Sequence, residues 1–88
     1  MQVTQAQFTQ VSRFPHDAAN TWQHNSKPVW VTFYPAVDGV RPAHYIPYRA
    51  VQAVPAGRKP WTVDNRRIGS DRGFSALEDA LNAAEVAA

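Results

Sequence analysis

His16, His24 and His44 are the three histidines of this 88-residue sequence, and any acid–base, nucleophilic or metal chemistry near neutral pH would start from them. Nucleophilic catalysis joins a serine, a histidine and a carboxylate. The only local pair here is His16-Asp17, and neighbouring helix residues point about 100° apart, so the pair reads as a solvated turn. A metal site needs three or four ligands. His16 and His24 are too far apart along one short element, and no acidic residue completes a ligand spacing. With no cysteine, thiol catalysis, disulfides and cysteine-type zinc knuckles are excluded. The four glycines match neither GxGxxG nor GxxxxGK, so no phosphate-cradling loop is present. The residues therefore predict no catalytic centre, no metal site and no cofactor: a protein that is not an enzyme.

Recognition chemistry is better represented. The net charge is only +2, too weak by itself to imply duplex binding, where phosphate contacts dominate affinity. Its distribution is uneven. Residues 1–26 are neutral, residues 27–73 sum to +5, and residues 74–88 carry Glu78, Asp79 and Glu85 for −3. A basic middle and an acidic tail steer an acidic partner toward one side. Within the middle, Val29–Tyr34 is almost all β-branched or aromatic, which is a strand signal, and Asp38-Gly39 offers a two-residue hairpin turn. That turn sets Trp30 opposite Pro47. It gathers Trp30, Tyr34, Arg41, Tyr45 and Arg49 on one aromatic, basic face, with Val29, Val31, Phe33, His44, Ile46 and Tyr48 on the other. Trp, Tyr and Arg contribute most of the energy of protein interfaces, so the first set is the expected partner-binding surface. The same chemistry suits single-stranded nucleic acid through base stacking, or the N-terminal segment covers the rings through Phe8, Phe14 and Trp22. Arg66, Arg67 and Arg72, before the last helix, are a second candidate, for an anion at that helix's free amides; Glu78 and Asp79 compete for the same position.

These residues need elements to hold them. Thr4 and Gln7 are spaced as a capping box with Val3 and Phe8 as its staple, which predicts an N-terminal helix ending before Pro15. A second helical turn follows over His16–Trp22. The returning strand of the hairpin runs from about Arg41 to Arg49, or on to Val54. Pro42 and Pro47 cannot donate to a ladder, so this strand is expected at an edge or bulged. A short second hairpin, Pro60–Val63 into Arg66–Gly69, is expected to turn at Asp64-Asn65. The clearest helix starts at Ser75 and Glu78, another capping box, and Phe74, Leu77, Leu81 and Ala84 share its buried stripe. The fold class is α+β, a small antiparallel sheet of three or four strands packed by a C-terminal helix. It forms one domain over residues 1–88: a helical N-terminal segment at 1–26, the sheet at 27–73 and the helix at 74–86.

An 88-residue chain has a thin core, and of its 44% hydrophobic residues 14 are alanine. The longest bulky apolar run, Val29–Val31, is far below the roughly 18 residues of a membrane span. The first 25 residues lack the basic and apolar regions of a signal peptide. A cytoplasmic protein that does not enter membranes is expected. The segment Lys59–Glu85, KPWTVDNRRIGSDRGFSALEDALNAAE, resembles a pattern common in small phage and plasmid proteins: a Trp-containing hairpin followed by a Phe-Ser start to an alanine-rich helix. Some tyrosine-integrase arm-binding domains look similar, with a sheet that enters DNA. In size, in lacking cysteine and in lacking a catalytic motif, the chain is similar to anti-CRISPR proteins and other phage-encoded host inhibitors. These likenesses concern size and packing and assign no family. They imply a non-catalytic interaction protein of phage or mobile-element type that binds and occludes a host protein or protein–nucleic-acid complex. The alternative is a small nucleic-acid-binding domain using the same aromatic–basic face.

Overall fold

The computed structural model describes residues 7–12, 20–70 and 72–87. Five antiparallel strands follow one another in the order of the chain: β1 (Phe8–Val11), β2 (Thr21–His24), β3 (Val29–Tyr34), β4 (His44–Ala50) and β5 (Asn65–Arg67). A single helix, α1 (Leu77–Ala87), closes the described chain and packs on β3 and β4. The architecture is α+β with an antiparallel sheet and a C-terminal helix, as the residue pattern predicts, but the sheet has five strands.

The extra strands come from the segment expected to be helical. Phe8–Val11 pairs with β2, Phe8 opposite His24, and β2 pairs with β3, Trp22 opposite Val31. Helical spacing would put Phe8 and Val11 on one face; strand alternation separates them. It aligns Phe8 with Trp22 and Val31 on the side of the sheet that meets α1. The unpaired edge of β3 takes a partner strand, and burial of Phe8 and Trp22 outweighs a local helix preference. Thr4 and Val3 of the expected capping box, and most of the His16–Trp22 turn, lie outside the described residues; Trp22 itself is in a strand.

The central hairpin forms, with its register shifted by one residue. Val29 lies opposite Arg49, Trp30 opposite Tyr48 and Tyr34 opposite His44. The cause is the turn. Val37 and Arg41 bridge across a three-residue loop, and the amides of Val40 and Arg41 both donate to the Val37 carbonyl, at 2.9 and 3.0 Å. Gly39 has φ +73° whereas Asp38 does not have a positive φ, so the two-residue turn requiring both is not made. Because side chains alternate with period two, one residue of slip moves the whole of β4 to the opposite face.

Nor is β4 an edge strand. It lies between β3 and β5 without a bulge, and Pro47 is fully buried in its middle. The backbone groups of Tyr45, Pro47 and Arg49 point away from β3. On that side β5 pairs only with Tyr48–Ala50, Ile68 donates to the Pro47 carbonyl at 2.8 Å, and Phe74 exchanges two 2.8 Å bonds with Tyr45. The chain leaves the sheet between Ile68 and Phe74, and the missing proline N–H falls in that gap. The second hairpin expected after Lys59 is absent as well. Pro60–Thr62 is a 3-10 turn, and Asn65–Arg67 joins β4 instead.

Two layers result. Against α1 lie Phe8, Trp22, Val29 and Val31 with Ala80, Leu81 and Ala84, bordered by Phe33, Tyr45, Ile68, Phe74 and Leu77. On the other face Trp30 is only 2% exposed, stacked on Tyr48 at 5.5 Å and met edge-on by Trp61 at 6.0 Å. The 3-10 turn therefore roofs one end of that second face. At the other end Thr32, His44 and Ile46 are buried and Tyr34 is part-exposed. No helix among the described residues is long and apolar enough to cross a membrane.

Candidate functional site

At the end of the second face away from the 3-10 turn, β3 and β4 bring Tyr34, His44 and Ile46 together through strand alternation. Tyr34 and His44 are a cross-strand pair with rings stacked at 5.4 Å, and the Tyr34 hydroxyl is 2.7 Å from that of Tyr48. This gives the floor a connected aromatic row, Trp61–Trp30–Tyr48–Tyr34–His44. Rings locked by packing and hydroxyl bonds make a rigid platform that loses little side-chain entropy on binding.

Arginines rise around this platform from three different segments. A cleft of about 230 Å³ is lined by Tyr34, Arg41, His44, Ile46 and Arg67, and a neighbouring pocket of about 550 Å³ by Val40, Arg41, Pro42, His44 and Arg72. Arg41 and His44 line both, so the two hollows adjoin and together make the depression. Arg41 sits at the hairpin tip, Arg67 on β5 and Arg72 in the loop before α1, and all three are exposed. No acidic group among the described residues pairs with them; the ion pairs there all involve Glu85. His44 is oriented by its Nδ1, 3.0 Å from the Pro42 carbonyl. A carbonyl only accepts, so Nδ1 carries the proton and donates, and Nε2 is left for the depression. The depression thus offers three guanidiniums and an imidazole edge beside Tyr34 and Ile46. Guanidiniums present planar forks of N–H donors that suit anionic groups. No group of three His, Asp or Glu side chains among the described residues lies close enough to hold a metal ion.

The register shift redistributes the sequence-derived candidates. Tyr34 and Arg41 are in the depression. Trp30 shares their face but lies beneath Tyr48 and Trp61, so it supports the platform rather than touching solvent. Tyr45 and Arg49 are on the opposite face. Tyr45 packs against Trp22 and Phe33 at ring distances of 5.9 and 5.0 Å, under the edge of α1. The single face joining Trp30 and Tyr34 to Tyr45 and Arg49 is therefore corrected by the three-residue turn. Arg66, Arg67 and Arg72 also part company. Arg66 pairs across the strands with Arg49 on the α1 side, while Arg67 and Arg72 join Arg41. The residue that sequence reasoning missed is His44. Its place in the sequence, between Pro42 and a strand, carried a signal only once the register was known.

A separate polar cluster ties α1 to the sheet. The amides of Ser26 and Lys27 donate to His24 Nδ1 at 3.0 Å each, so Nδ1 is the acceptor and Nε2 donates to Glu85 at 2.7 Å. Lys27 Nζ is 2.5 Å from the other Glu85 oxygen. Every polar atom of the His24 ring is used within the fold, which makes it a structural histidine.

Compared with protein-family models, with curated proteins and with solved structures, the chain matches none.

Proposed function

We propose that this chain is a non-catalytic interaction protein that binds and occludes a host macromolecular partner, as phage-encoded inhibitors do, by engaging an acidic surface of a protein in the depression around His44. The observation that carries this reading is the meeting of Arg41, Arg67 and Arg72, each without an acidic partner among the described residues, over a rigid aromatic floor. Like charges brought together repel, and a partner supplying carboxylates or other anions relieves that cost. Arginine and tyrosine also suit the desolvated centre of an interface.

The floor weighs against the single-stranded nucleic acid alternative. Trp30 stacks on Tyr48, Trp61 stands against Trp30, and Tyr34 stacks on His44, so the rings already spend faces or edges on one another. Base stacking needs open faces.

The test is a pulldown from host lysate with and without nuclease, comparing the wild-type protein with the Arg41→Ala/Arg67→Ala double variant. The expected result is a partner retained after nuclease and lost in the variant, while the variant melts as the wild type does. A partner captured equally by both proteins, or lost on nuclease treatment, would overturn the reading.

A further inference from the structure

We propose that the pocket between the hairpin tip, the start of β4 and the loop before α1 is a subsite for a phosphomonoester dianion carried by the partner. This rests on the reading above and names the group recognised. Three observations support it. Val40–Pro42 and His44 on one stretch of chain and Arg72 on another line a pocket of about 550 Å³. Arg41 and Arg72 line it directly, and Arg67 adjoins through the cleft that shares Arg41 and His44. Each guanidinium presents a planar fork of N–H donors that matches phosphoryl oxygens. No carboxylate among the described residues lines either hollow.

Charge count selects the ligand. One guanidinium balances one carboxylate, whereas the two guanidiniums that line this pocket, with Arg67 in the adjoining cleft, match a doubly charged, three-oxygen head group. A phosphodiester must continue on both sides of its phosphorus and carries a single charge, so it fits less well. His44 Nε2 adds a polar edge held in place by the bond from Nδ1 to Pro42.

The probe is inorganic phosphate, titrated into the isotopically labelled full chain at about pH 7.5, where the dianion predominates. Chloride at matched ionic strength is the control. Saturable amide shifts at Arg41, His44 and Arg72 are expected, and Arg72→Ala weakens the apparent affinity about tenfold or more. Arg58→Ala, at an exposed arginine outside this pocket, leaves it unchanged. O-phosphoserine reproduces the phosphate shifts and a short single-stranded oligonucleotide does not. Because the arginines are exposed, the variants stay folded, which the same spectra report. Shifts no larger than with chloride, shifts indifferent to Arg72→Ala, or saturation by the oligonucleotide but not by phosphoserine would each overturn the proposal. If phosphate fails while the pulldown still depends on Arg41 and Arg67, the subsite is wrong and the protein-binding reading stands.

Discussion

At the scale of single residues, Gly73 is where backbone and packing constrain the chain most tightly. It has φ +69°, and a β-carbon there would lie 2.5 Å from the Tyr45 carbonyl oxygen and 2.9 Å from Ile46 Cγ1. That close approach lets Phe74 form its paired bonds with Tyr45 and so directs Arg72 toward the pocket. Gly57 has a similar φ of +80° but open space around it. Gly73→Ala is expected to destabilise by at least about 2 kcal/mol, and Gly57→Ala by only about 1 kcal/mol, the left-handed cost alone. Guanidinium denaturation of both variants decides it, and equal costs would mean the chain relaxes around residue 73. Tyr34 supplies a second expectation. Its hydroxyl bonds that of Tyr48, so Tyr34→Phe costs about 1 kcal/mol in the same assay while leaving the ring stack on His44.

At the scale of elements, the helix contributes most of the core that the sheet cannot supply. Leu81 is fully buried against Val29 and Val31, whereas Leu77 borders the cluster half-exposed. Leu81→Ala is therefore expected to cost about 2–4 kcal/mol and Leu77→Ala distinctly less. Chemical denaturation ranks them, and a reversed order would place the helix differently on the sheet. The other end of α1 is held by charge. The Lys27 ammonium, and then the His24 ring, hold the Glu85 carboxyl below its ordinary value of 4.5. A carboxyl depressed on folding stabilises the protein fully above its unfolded value, and that contribution is lost as pH falls through the lower folded value. The stability gap between wild type and Glu85→Gln should be constant at neutral pH and should shrink only below about 4.5. Denaturation curves at several pH values measure it; a gap that grew in acid would contradict the assignment.

At the scale of the whole molecule, charge is sorted by position. The ion pairs of the described residues gather at the C-terminal end of α1, and Arg41, Arg67 and Arg72 stand unpaired at the far end of the hairpin. A net charge of +2 gives a weak overall field, so attraction is local to the depression. Association with the partner should slow markedly between low and physiological salt while dissociation changes little. Surface plasmon resonance with the captured partner reads both rates. Salt-insensitive association would remove the arginines from the encounter.

Composition and local pattern determined a good deal. The β-branched and aromatic run Val29–Tyr34, the spacing of Leu77, Leu81 and Ala84, and the turn glycine at Gly39 are local signals, and each marks its element, although Phe74, expected on the same helical stripe, lies before α1. The α+β class with a C-terminal helix followed from them. The N-terminal strands did not, because the spacing of Thr4, Gln7, Phe8 and Val11 satisfies a helix as well as a strand, and the choice was made by the open edge of β3 and the burial of Phe8 and Trp22. The helix start was misread for a related reason. Ser75 is exposed and Glu78 Oε2 is buried without a hydrogen-bond partner, because the bridge from Phe74 to Tyr45, rather than a capping box, sets where α1 begins. The site shows the same division most sharply. The sequence supplied the arginines, tyrosines and tryptophans of a binding surface, but one added residue in the turn decided which of them share a face. Side chains alternate with period two, so a register set by three loop residues instead of two placed Tyr45 and Arg49 on the helix side of the sheet and His44 on the other side, beside Arg41.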